Sequence, residues 1–149
     1  MFQTGLRLEH TESKGVSMTT GSDVPRSYTN IFPSLSMSKQ FGERHSVSLS
    51  FSRRLERPNY KKLNPFVDYL DQYTFQKGNP FLNPQYSNSI GLNYALGNSL
   101  FIAANYSHTT DAISDILEQN SATNTTFQTN DNLDNTHSAS LTISAPKVW

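Results

Sequence analysis

The run SRRLERP places Arg53, Arg54 and Arg57 within five positions of one another, a dense cluster of fixed positive charge. A cationic rim of this kind attracts an anionic ligand. The alternative is structural: Arg53 lays its stem on an apolar surface, and Arg54 pairs with a nearby carboxylate such as Glu9 or Glu56. Just downstream, NPFVDYLDQYTFQKGNPFLNP gathers Phe66, Tyr69, Tyr73, Phe75 and Phe81 beside Asp68 and Asp71. Aromatic faces can stack on a sugar ring or an aromatic ligand, and they can equally fold a long loop onto itself. Arg54, Arg57, Tyr69, Tyr73 and Phe75 are therefore the candidate ligand-contacting residues.

Catalytic and metal chemistry find little support. Asp68 with Asp71, and Glu9 with Glu12, are paired by spacing, but an exposed loop offers neither burial nor a partner to tune a pKa. No enzyme activity is expected. His10, His45, His108 and His137 are scattered without a ligand spacing, so no metal site is expected, and cysteine is absent. GNSLF and TGSD lack the spacing of a phosphate loop, and no cofactor is expected. TNTT and NTTF match the N-glycosylation pattern, which arises readily by chance in a loop rich in Asn and Thr. Net charge is zero with Lys and Arg dispersed, which argues against nucleic acid as a partner.

The elements that must carry these residues announce themselves by strict alternation. In HSVSLSFSRR, Val47, Leu49 and Phe51 alternate with Ser46, Ser48, Ser50 and Ser52, so a strand over 45–54 has one apolar face and one face of hydroxyls. The same period predicts strands over 2–10, 28–39, 85–95, 99–109 and 136–149. Their apolar parity holds Leu35 and Met37 on the second strand, and Ile90, Leu92 and Tyr94 on the fourth. Ile102 continues it on the fifth, and Leu141 and Ile143 on the sixth. DAISDILEQ reads either as an extension of the fifth strand or as a short helical turn. Six strands in an antiparallel meander follow.

Connections decide between the architectures open to such a meander. QFGER and LGN are short and glycine-bearing, as tight hairpins require. The links 11–27, 55–84 and 111–135 are long, and three long structureless loops are out of place in a compact domain. A soluble β-sandwich used for binding or adhesion explains the alternation. A transmembrane β-barrel explains both the alternation and the unequal connections, with tight turns on one rim and long loops on the other. It also explains a negative mean hydropathy, since a wide barrel has a wet interior and no thick core. On this reading Leu35, Met37, Val47, Leu49, Phe51, Ile90, Leu92, Tyr94, Ile102, Leu141 and Ile143 face lipid and the serines face the lumen. Tyr86, Tyr94 and Trp149 fall at the interfacial levels.

NIFPSLS at 30–36, SRRLERPNYKKLNPF at 52–66 and KGNPFLNPQYSNSIGLNY at 77–94 resemble the outer-membrane β-barrel region of TonB-dependent receptors, of the type abundant in Bacteroidetes. The resemblance covers about 5–118 well. It implies a receptor in the outer membrane of a Gram-negative bacterium that imports a scarce nutrient, such as an iron chelate, an oligosaccharide or a peptide. It also implies partners: outer-membrane lipid, the remainder of a barrel, a plug domain, and an inner-membrane energy-coupling protein. Such receptors carry a signal sequence, a coupling box, a plug and about twenty-two strands, so residues 1–149 are expected to be a partial barrel domain and a truncated product. Six strands cannot close a useful barrel, and an open edge in lipid leaves backbone groups unpaired.

Overall fold

The computed structural model describes residues 1–16 and 23–146. The chain forms one sheet of eight strands in the order β1-β2-β3-β6-β7-β8-β5-β4. Six of them are long: β1 (Phe2–Val16), β2 (Asp23–Phe41), β3 (His45–Glu56), β6 (Gln85–Leu96), β7 (Leu100–Asn120) and β8 (Thr125–Ser144). These are the six strands of the expected meander, each antiparallel to its neighbour. The two short strands, β4 (Val67–Tyr69) and β5 (Thr74–Lys77), lie in the long connection after β3, behind the helical turn α1 (Tyr60–Leu63). No second sheet packs on the first among the described residues, so the sandwich expectation lacks its second layer. Their buried hydrophobic side chains are Phe32, Leu82 and Ala103.

Register turns the alternation of each strand into two continuous faces. Met37, Leu49, Leu92, Ala104 and Leu141 are successive cross-strand partners, and so are Leu35, Phe51, Ile90, Tyr106 and Ala139. Val47, Tyr94, Ile102 and Ile143 form the next row. On the other face a single row of hydroxyls runs Ser34, Ser52, Ser89, Ser107, Ser138 across five strands. Two glycines on that face leave room for the hydroxyls opposite them. A Cβ on Gly5 would lie 2.6 Å from Ser34 Oγ, and one on Gly91 would lie 2.8 Å from Ser50 Oγ. Ser89 and Ser107 hydroxyls are 3.1 Å apart, and Ser87 and Thr109 hydroxyls 2.8 Å, so the row is partly self-satisfied.

Two of the long links are shorter than expected. β1 continues to Val16 and β2 starts at Asp23, so most of 11–27 is paired strand rather than loop. Likewise 111–135 is a hairpin: DAISDILEQ extends β7 along β8 in the same register, the ladder skipping only Asp111 (φ 53°) opposite Asp134, and 121–124 turn. The final strand accordingly runs 125–144 rather than 136–149, and Trp149 lies outside the described residues. The reason is physical. Beyond the apolar rows both faces carry mostly polar side chains, so pairing persists there without the hydrophobic alternation by which a strand is recognised. At the opposite end the turns are tight: Gly42 (φ 65°) and Gly97 (φ 49°) sit in the left-handed region that glycine adopts without penalty. Gly97 N–H donates to Arg44 O at 2.5 Å, tying the two turns together.

Candidate functional site

The connection 57–84 does not hang free. It contacts the outer half of the β7–β8 hairpin and docks on the far edge of β8, where β5 pairs in parallel with 126–128. Several anchors hold it. Thr126 N–H donates to Tyr73 O at 2.8 Å. Asn132 accepts from Asn83 N–H at 2.8 Å and donates to Asn83 O at 3.0 Å and Asp111 O at 2.7 Å. Gln85 reaches both ways, accepting from Ile113 N–H at 2.8 Å and donating to Glu56 at 2.8 Å. Lys62 lies 3.8 Å from Asp115, which also accepts from Asn130. Leu82, near the end of this segment, is fully buried.

Within the loop each turn has a local cause. Asn59 caps α1 by accepting from Lys62 N–H at 2.9 Å, as its residue type favours. Asp71 closes the β4–β5 hairpin by accepting from the N–H groups of Tyr73 and Thr74, both at 2.7 Å. Those bonds, the Tyr73 amide foremost, hold the Asp71 carboxyl below the usual carboxylate range. Gly78 packs its backbone against α1, and a Cβ there would lie 2.5 Å from Lys62 O and 2.6 Å from Asn64 O. No larger residue fits without undocking the helix.

The candidate ligand-contacting residues separate into two groups. Tyr69 and Phe75 have ring centroids 6.0 Å apart, and Phe75 meets Phe127 of β8 at 5.6 Å, forming an aromatic cluster at the outer edge. A groove of about 590 Å³ opens beside it, lined by Phe75, Phe127 and residues 118–121. Tyr73 anchors through its backbone and leaves its ring exposed. Arg54 and Arg57 lie elsewhere, on the hydroxyl face, where Arg54 is the register partner of Ser87. Arg57 donates to Glu9 at 3.0 Å and to Thr11 Oγ1 at 2.9 Å, and Glu9 also pairs with Arg7 at 3.1 Å. The hydrogen bond to Glu9, with Tyr28 alongside, raises the Arg57 pKa further above its ordinary value. Glu9 therefore belongs to Arg57 and Arg7, and Glu56 to Gln85, so neither is the partner of Arg54. Arg7 additionally covers the buried Phe32 ring at 4.9 Å.

Leu35, Met37, Val47, Leu49, Phe51, Ile90, Leu92, Tyr94, Ile102, Leu141 and Ile143 all share the apolar face by register. That face is edged by aromatics with polar partners. Tyr94 OH lies 2.9 Å from His45 Nδ1 near the tight turns. At the other end Arg53 lies over the Tyr86 ring at 5.3 Å, its Nε buried without a hydrogen-bond partner. Sequence reasoning missed Phe127 and Asn132 because both fell in a stretch read as loop. Their signal was the period-two pattern of TTFQTNDN, too polar to register.

The sheet thus has one apolar face and one face of hydroxyls, and the model of the Outer membrane protein beta-barrel family matches residues 1–148. The chain belongs to that family. As an outer membrane β-barrel protein it is located in the outer membrane, and its fold is that of receptor barrels. The Serratia marcescens hemophore receptor HasR, solved with its hemophore HasA and heme, superposes with a TM-score of 0.63 at 14% identity. The match covers 94% of this chain and 26% of HasR. The siderophore receptor PirA from Pseudomonas aeruginosa gives a TM-score of 0.62 at 16% identity, covering 94% of this chain and 30% of PirA. The outer-membrane chain thus spans between a quarter and a third of the length of these receptors. No curated protein matches it by sequence.

Proposed function

We propose that this outer membrane chain is part of the barrel wall of a TonB-dependent receptor that takes up a scarce nutrient, with an iron chelate, an oligosaccharide or a peptide as the substrate classes. The observation that supports it best is the pair of continuous faces, which suits a wall with lipid on one side and a wide aqueous lumen on the other. The apolar rows are the lipid face, and the serine row lines the lumen. Residues 1–149 are a partial barrel domain: β1 and β8 each present a long sheet edge, and an edge in hydrocarbon must be paired by further strands. Those strands, a plug and an inner-membrane energy-coupling protein are the partners that the reading requires.

The tight turns at 42–44 and 97–99 lie on the periplasmic side, and the β7–β8 hairpin with its docked loop projects outward. The substrate meets the Tyr69, Phe75 and Phe127 cluster there, and Arg54 and Arg57 give the passage beyond it positive charge. The test is uptake by cells carrying the intact receptor, measured with radiolabelled candidate substrates and repeated after loss of the energy-coupling protein. Uptake that stops in both the receptor deletion and the coupling-deficient strain supports the reading. Uptake that persists without energy coupling makes the barrel a passive pore and overturns it.

A further inference from the structure

His108 and His137 are far apart in sequence, yet register makes them direct partners across β7 and β8. Their rings stack with centroids 4.5 Å apart and planes 11° from parallel. Each ring is held through one nitrogen. His108 Nε2 lies 3.2 Å from Asn135 Oδ1, and His137 Nδ1 lies 2.8 Å from the Tyr106 hydroxyl. The tautomer in which His108 Nε2–H donates to Asn135 Oδ1 leaves the Nδ1 lone pair free. A tyrosine hydroxyl both donates and accepts, and the tautomer in which it accepts from His137 Nδ1–H leaves the lone pair on Nε2. Orientation of one imidazole nitrogen by a neighbouring acceptor is how metal-ligating histidines are fixed in place.

We propose that His108 and His137 form a cross-strand two-histidine site for a divalent transition-metal ion of the copper, nickel or zinc type. Directly opposed strand residues carry Cβ atoms ~4.5–5.5 Å apart, close enough for two imidazoles to reach one ion at ~2.0–2.1 Å once the parallel rings tilt toward each other, with the Asn135 and Tyr106 side chains following their nitrogens. Imidazole donors select these ions over hard cations, which prefer oxygen. Among the described residues no group of three His, Cys, Asp or Glu side chains could hold a metal, so the remaining positions are open to water or to an incoming ligand. The pair sits two register positions beyond Tyr106 and Ala139, on the side away from the tight turns, at the foot of the β7–β8 hairpin. A bound ion clips the two strands where they leave the apolar band.

The experiment is a copper(II) titration of the intact barrel carrying this chain, in detergent, read by electron paramagnetic resonance. Wild type, His108→Gln and His137→Gln are compared, each checked for the heat-modifiable migration of a folded barrel. We expect each variant to bind one equivalent fewer than wild type and to lose the coupling to two imidazole nitrogens. Asn135→Ala, which keeps both ligands, should bind roughly 10-fold or more weakly. Unchanged copper stoichiometry and spectrum in both histidine variants would overturn the site. Should the variants not fold, the wild-type barrel decides: zinc(II) protection of His137 from diethylpyrocarbonate supports the site, and undiminished modification refutes it.

Discussion

The assignment of lipid to the apolar face makes a depth-dependent prediction for arginine substitutions along β6. Tyr86 and Tyr94 share that face with Ile90 midway between them. At ~3.3 Å per residue, Ile90 lies roughly 13 Å from either tyrosine along the strand, farther than an arginine side chain can snorkel. Ile90→Arg should therefore cost about 2–4 kcal/mol in the intact barrel, the range for arginine at the bilayer midplane. Leu92→Arg is only two positions from Tyr94, so its guanidinium reaches the interface, and the cost should fall to roughly 1–2 kcal/mol on the same depth scale. Ser36→Arg on the hydroxyl face, at an exposed position in the row with Ser50, should stay within about 0.5 kcal/mol, as surface changes do. The assay is urea unfolding of the barrel in lipid vesicles, followed by tryptophan fluorescence and heat-modifiable migration. A Ser36→Arg cost equal to or above that of Ile90→Arg would invert the faces and refute the argument.

The outer loop and the hydroxyl face give three more outcomes. Asn132→Ala removes three hydrogen bonds that join 83 and 111 to β8, each worth about 0.5–1.5 kcal/mol net. Trypsin should then cut at Lys61, Lys62 or Lys77 markedly faster than in wild type, and unchanged cleavage would show that the loop is held by other means. The Asp71 carboxyl has a folded-state pKa below its unfolded one, so its contribution is complete above the ordinary value of about 3.9. That contribution is lost as pH falls through the lowered value, and amide exchange at Tyr73 and Thr74 should rise only in that acid window. Asp71→Asn keeps an acceptor and should abolish the dependence. The Arg57–Glu9 pair is partly solvated, with side chains 46% and 28% exposed, so a double-mutant cycle should give about 0.2–1 kcal/mol. Coupling that survives 1 M salt, where the Debye length is ~3 Å, would contradict a solvated ion pair.

What the sequence disclosed and what it hid follow one physical division. On the proposed lipid assignment, the apolar rows were legible because each strand there has two different solvents, and hydrocarbon on one side enforces period two on Val47, Leu49 and Phe51 or on Ile90, Leu92 and Tyr94. Outside the bilayer that constraint lapses. Residues 111–120 and 125–135 pair in the same register apart from Asp111 and Asp134, yet carry no apolar stripe, so the sequence leaves 111–119 open between strand and helical turn and gives 125–135 as a link. The strands β4 and β5 are hidden for a further reason: the turn that Asp71 closes is local, but β5 is held as a strand by the edge of β8 at 126–128, which no local window contains. The histidine pair was invisible on the same ground, since ligand spacing along a chain says nothing about partners across a hairpin.

The docked loop also bears on how such a sheet can be extended. β5 occupies the β8 edge at 126–128, while 129–144 has no partner on that side among the described residues. A further strand pairing with β8 can therefore use only the segment below the loop, which includes the apolar residues Ala139, Leu141 and Ile143. Edge protection and wall closure thus fall on different parts of one strand: the loop covers the edge in water, and a neighbouring strand covers it in lipid. The division makes the loop sensitive to β8. A change that tilts or shortens the outer half of β8 moves Phe127 and Asn132 together, and with them both the aromatic cluster and the staple that holds residue 83. Gly78 sets the other limit, since its missing side chain lets α1 lie against the loop backbone while β5 lies against β8. The outer hairpin is in this sense a scaffold: it is long because it must carry a loop whose own strands are too short to stand alone.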